Sequence, residues 1–165
     1  MSRSRRGGRP LWIVLVPLVL LHFYVRPRIW PGAGAPDFLL IALIVLSLRT
    51  RPGTAAVAGF LTGLVLDVLM PVRFGAGALS HTVVGFAAAW GRSVFFPDNL
   101  IVNGILFAVG TLVRNLLLLI ASGSGVIGAL SAFGPASLAQ AATTALAGIA
   151  VTLAIRHRVD FRLHE

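Results

Sequence analysis

Two ionisable residues stand in stretches that are otherwise apolar. Asp67 lies in Gly63-Leu-Val-Leu-Asp67-Val-Leu-Met70, and Arg114 lies in Thr111-Leu-Val-Arg114-Asn-Leu-Leu117. Near the centre of a membrane helix each costs roughly 3 kcal/mol, so each is expected to face protein and to pair. Counted from Gly53 and from Asn99, both rise to roughly 21–22 Å at ~1.5 Å per residue. Equal depth in the outer half of a membrane allows an Asp67–Arg114 ion pair, locking two helices or facing a partner. His81 is a third candidate, as a proton carrier or ligand. A lone histidine near the outer end of a helix reads more simply as a hydrogen-bonded packing residue.

Other chemistry is missing from the pattern. There is no HExxH, GxSxG or Walker loop, and there are no closely spaced paired carboxylates. Only five acidic residues are present, too few for an obvious metal-dependent reaction, and no cysteine is available for thiolate ligation or nucleophilic catalysis. The expectation is a non-enzyme with no metal and no cofactor.

The elements that must position these residues are helices. Apolar segments cover about 11–29, 37–48, 53–70, 76–91, 99–121 and 136–155, which reads as an all-α, polytopic membrane domain occupying the whole chain, 1–165. The first segment follows Arg3, Arg5 and Arg6 like a signal peptide. However, Tyr24-Val25-Arg26-Pro27 follows it rather than a small-residue cleavage site, so it is expected to be retained. Pro17 is a potential kink, and Trp12, Tyr24 and Trp30 suit interfaces. The second segment has only 12 residues, whereas ~20 span a bilayer. It must be shielded by neighbours, sit where the bilayer thins, or be re-entrant.

Several faces repeat every three to four residues, the helical period. Gly59, Gly63 and Asp67 share one side of the third segment, and Gly59-x-x-x-Gly63 allows close backbone approach. His81, Gly85 and Ala89 align in the fourth. Asn103, Phe107, Gly110 and Arg114 align in the fifth, and Gln140, Thr144, Gly148 and Thr152 in the sixth. Small and polar residues facing a common centre fit a compact bundle or a small internal cavity.

Composition agrees with a membrane. The chain is 57% hydrophobic and 12% charged, against about 25% charged in soluble domains. Its net charge of +9 comes from 14 arginines and no lysine. These sit in short clusters between apolar runs, which points to topology rather than nucleic acid. With six spans and a cytoplasmic amino terminus, Arg3, Arg5, Arg6, Arg9, Arg49, Arg51, Arg92, Arg156, Arg158 and Arg162 lie inside, and Arg26, Arg28 and Arg73 outside. The bias obeys the positive-inside rule. Omitting the short second span reverses every later segment.

The middle of the chain resembles the rod shape-determining protein MreD family. The likeness rests on Arg51-Pro-Gly53 leading into Gly59-Phe-Leu-Thr-Gly63-Leu-Val-Leu-Asp67, on Phe74-Gly75-Ala-Gly77-Ala-Leu79, and on Pro36-Asp37-Phe-Leu-Leu40. The pattern covers about residues 36–90. Elsewhere only hydropathy agrees. The resemblance implies a non-enzymatic component of the bacterial cell-elongation (peptidoglycan-synthesis) machinery in the inner membrane. It implies MreC as the direct partner, with RodA, a class B penicillin-binding transpeptidase and MreB as complex members, and membrane lipid around it. It also implies a fold similar to the six-helix substrate-binding subunits of energy-coupling-factor transporters. By that analogy Asp37, Asp67 and the Gly75-Ala-Gly77 loop lie toward the outer half. A solute-binding transport subunit is the competing expectation. Such subunits carry an Ala-x-x-x-Ala face on the first span, and the first span here has no alanine.

Overall fold

The computed structural model describes residues 9–29, 32, 34–69, 74–91, 99–121, 123 and 133–160. Arg3, Arg5, Arg6, Trp30, Arg73, Arg92, Arg162 and most of the loop from 122 to 132 lie outside the described residues. The described chain is helical, and no strand occurs among the described residues.

Six helices follow in order among the described residues. Helix α1 begins as Arg9–Leu20, widens into a π turn at Leu21–Val25 and ends as Arg26–Ile29. Helix α2 is Phe38–Ser47, α3 is Pro52–Leu69, α4 is Ala76–Gly91, α5 is Leu100–Ala121 and α6 is Pro135–Asp160. Proline opens α3 and α6, where a missing N–H and a fixed φ suit the first helical position. Asn99 caps α5, accepting from the Ile101 N–H at 2.9 Å. Pro17 lies within regular helix. The irregularity expected there comes later, in the π turn, where the Arg26 N–H reaches back to the Leu21 carbonyl, beside Pro27.

Among the described residues three helices are long and apolar enough to cross a membrane: Pro52–Leu69, Leu100–Ala121 and, within α6, Pro135–Arg156. Their outer faces are apolar and exposed, with Phe60 and Val65 on α3, Ile101 and Ile105 on α5, and Leu146 on α6. Serine and threonine hydroxyls inside the helices turn back onto their own backbone, as Ser47 Oγ does to the Leu43 carbonyl and Thr111 Oγ1 to the Phe107 carbonyl, each at 2.8 Å.

Helix α2 is the centre of the bundle. It packs against all five other helices, and eight of its ten residues are buried. At ~1.5 Å per residue it is roughly 15 Å long, half of the ~30 Å hydrocarbon thickness. Shielding by neighbours, one of the three expectations for this segment, is present. Because it is enclosed, α2 needs no polar face, and its sequence FLLIALIVLS is apolar all round.

Candidate functional site

Asp37 is the N-cap of α2. Its Oδ1 accepts the Leu40 N–H at 3.0 Å. A buried helix start exposes several N–H groups that no water can satisfy. Here they are closed by neighbouring helices. His22 Nδ1, on the π turn of α1, accepts the Leu39 N–H at 3.3 Å, and the Asp37 N–H donates to Thr144 Oγ1 of α6 at 3.1 Å. One step earlier, Thr143 Oγ1 donates to the Gly34 carbonyl at 2.7 Å. The non-helical entry to α2 is therefore held by α1 on one side and α6 on the other.

Arg114 of α5 completes this cluster. Its terminal nitrogen stands 3.5 Å from Asp37 Oδ2, and the two side chains are 18% and 1% exposed. The guanidinium also donates to Asn115 Oδ1 at 2.9 Å, and Asn115 donates to Gln140 Oε1 of α6 at 2.9 Å. The expected Asp67–Arg114 pair does not form. Arg114 pairs with Asp37.

Asp67 has a different occupation. Its carboxylate, at the C-terminal end of α3, accepts from three backbone N–H groups at the start of α4: Gly75 at 3.0 Å, Gly77 at 2.9 Å and Ala78 at 2.9 Å. It caps a helix that is not its own. A carboxylate at a helix N-terminus is favoured by both hydrogen bonds and the macrodipole. Gly75 turns the chain into α4 with φ +93, a conformation that suits glycine. At Gly77 a Cβ would collide with Asp67 Oδ1 itself.

The same glycines seal the α3–α4 hairpin. A Cβ on Gly59 would strike the His81 carbonyl, one on Gly63 the Gly77 carbonyl, and one on Gly85 the Ala55 carbonyl at 2.6 Å. These are backbone contacts that no side-chain movement can relieve. His81 is fully buried and donates from Nδ1 to the Gly77 carbonyl at 2.9 Å.

Over residues 8–153 the sequence matches the family described as rod shape-determining protein MreD. The chain belongs to the MreD family. This is a family of rod-shape-determining membrane proteins, and the matched stretch contains every residue of both clusters. No curated protein and no solved structure matches the chain, so the similarity to energy-coupling-factor subunits rests on resemblance alone.

In this MreD chain the candidate residues fall into two groups. Asp37 and Arg114 meet at the head of α2. Gly59, Gly63, Asp67, Gly75 and Gly77 meet along the α3–α4 hairpin. His81 belongs to the second group, since its backbone lies in the seam against Gly59 and its ring bonds the Gly77 carbonyl. Among the described residues no cluster of histidine, aspartate and glutamate is arranged to hold a metal ion. Sequence reasoning missed His22 and Asn115. His22 had one usable signal, a polar residue inside the apolar first segment, but its role depends on the π turn that directs it toward α2.

Proposed function

We propose that this MreD-family chain is a non-enzymatic scaffold of the cell-elongation machinery. In this reading it crosses the bacterial cytoplasmic membrane six times, keeps both termini in the cytoplasm and binds MreC. RodA, the class B transpeptidase and MreB are then neighbours within the same complex. The observation that carries the reading is how the intramembrane charges are used. Asp67 is occupied by three N–H groups of α4, and Asp37 by the α2 terminus and Arg114. A transporter or enzyme exposes such groups to a pathway or substrate, whereas a scaffold uses them to fix the shape of its helices. The bundle's outer surface is left apolar, suited to lipid and to partner helices.

The test is genetic and biochemical together. Depletion in a rod-shaped host should round the cells, and the tagged protein should co-purify with MreC from detergent extracts. A clean deletion that leaves rods normal, in a cell without a paralogue, would overturn the proposal.

A further inference from the structure

Four buried polar atoms have no hydrogen-bond partner among the described residues; one is Arg26 Nε, and the other three, Asp37 Oδ2, His81 Nε2 and Arg114 Nε, belong to the residues around the head of α2. They come from three different helices, yet packing contacts put them at one level. A Cβ on Gly110 would meet Ile44 at 2.9 Å and Val84 at 3.4 Å. Those contacts place Gly110 of α5 level with Ile44 of α2 and Val84 of α4. One helical turn further along, the same register puts Arg114, Leu40 beside its cap Asp37, and the Ser80–His81 step at one level, and there an Arg114 terminal nitrogen stands 3.5 Å from Asp37 Oδ2. His81 accordingly feels the charges of both Arg114 and Asp37.

The chemistry of the vacant valences is specific. His81 Nδ1 faces the Gly77 carbonyl, which only accepts, so Nδ1 carries a proton, and in the neutral ring Nε2 presents a lone pair. Asp37 Oδ2 is a second acceptor, and Arg114 Nε–H is a donor. A complement must therefore offer two hydrogens and accept one. The aspartate and arginine charges offset each other, so nothing favours a charged guest. A fully deprotonated anion lacks hydrogens for the two acceptors, and an ammonium has no lone pair for the arginine. In a bundle core, unsatisfied polar groups each cost several kcal/mol, so three at one level call for a bridging molecule.

We propose that Asp37, His81 and Arg114 form a binding site for one small neutral hydroxylic molecule with two O–H hydrogens, a water or a vicinal diol. Water, with two donors and two acceptor lone pairs, matches the three atoms one for one. The molecule ties α2, α4 and α5 together at their outer ends. The site does not depend on which protein partner the scaffold binds.

The test is a crystal structure of the full chain grown in a lipidic mesophase, at a resolution that shows ordered water, with and without added glycerol. The expected result without polyol is one water-sized peak at about 2.7–3.2 Å from Asp37 Oδ2, His81 Nε2 and Arg114 Nε. If that peak persists with glycerol, the source is water. If it is replaced by glycerol-shaped density on the same three atoms, the site accepts a diol. An empty site in both crystals, or His81 Nε2 bonded directly to Asp37, overturns the proposal. His81→Leu should lose the peak, and His81→Gln, which keeps an acceptor, should retain it. Should those variants fail to fold, nitrogen-15 histidine spectra of the unmodified protein read the same point. The proposal requires a neutral His81 with a hydrogen-bonded lone pair on Nε2, and a proton on Nε2 would refute it.

Discussion

A carboxylate in an apolar bundle needs donors more than it needs a countercharge, and both buried aspartates find them at helix starts. Asp67 takes three backbone N–H groups of α4, and Asp37 takes one of α2 together with Arg114. Replacing Asp67 with Ala strands three buried donors, each worth roughly 1–3 kcal/mol. Asp67→Ala should therefore lower the detergent melting temperature sharply. Asp67→Asn keeps one acceptor oxygen and should fall between the two, and equal melting of Ala and wild type would refute the cap. The ion pairing has its own test. Asp37→Asn and Arg114→Gln should each cost about 3 kcal/mol, because each leaves a buried partner unpaired. Their combination should cost clearly less than the sum, whereas Asp67→Asn with Arg114→Gln should add within about 0.5 kcal/mol. Sequence depth alone suggested the second pair. Depth is a single coordinate, and two residues at equal height can face opposite sides of a bundle. The direction was set by the α4 N-terminus, which lies eight to eleven residues beyond Asp67 and competes for it more effectively.

The element scale is where the sequence was most legible. Four-residue spacing of Gly59, Gly63 and Asp67 reports one helix face whatever packs on it, and in the fold that face does meet backbone. The partner was not legible, because helix–helix register comes from contacts such as Gly63 against the Gly77 carbonyl rather than from period. The position of α2 was equally hidden. Its length excluded an unaided span, but only the packed bundle shows that five neighbours enclose it. His22 was hidden because a π turn, not a regular helix, directs it. The glycines separate crowding from strain. Gly63→Ala should wedge α3 from α4 and reduce the yield of folded protein, since its Cβ has only backbone to meet. Gly53→Ala, with nothing within 4 Å, should be neutral or stabilising by up to about 1 kcal/mol through helix propensity. Gly75→Ala is also uncrowded, yet its φ of +93 should cost about 1 kcal/mol or more. If all three variants melt alike, the seam does not hold the hairpin.

At the scale of the whole molecule, the enclosed α2 decides the topology. If α2 carries the chain across with its neighbours, α3 to α6 have one orientation. If it turns back, all four invert. The capped helix starts favour the crossing. Asp37 and Asp67 sit at the starts of α2 and α4, and a six-span path puts both starts in the outer half, at the level where Arg114 of the oppositely running α5 reaches Asp37. A chain that turned back at α2 would place Arg49 and Arg51 on the outer side, against the arginine bias. The absence of cysteine makes the experiment direct, since every introduced thiol is the only one present. Gly32→Cys and Phe74→Cys, both exposed, should react with a membrane-impermeant maleimide added to intact spheroplasts. Arg51→Cys and Asn99→Cys, also exposed, should react only after the membrane is opened. Labelling of Arg51→Cys from outside would show that α2 does not cross. The shielded half-length helix would then be a re-entrant plug, and every helix after it would run the other way.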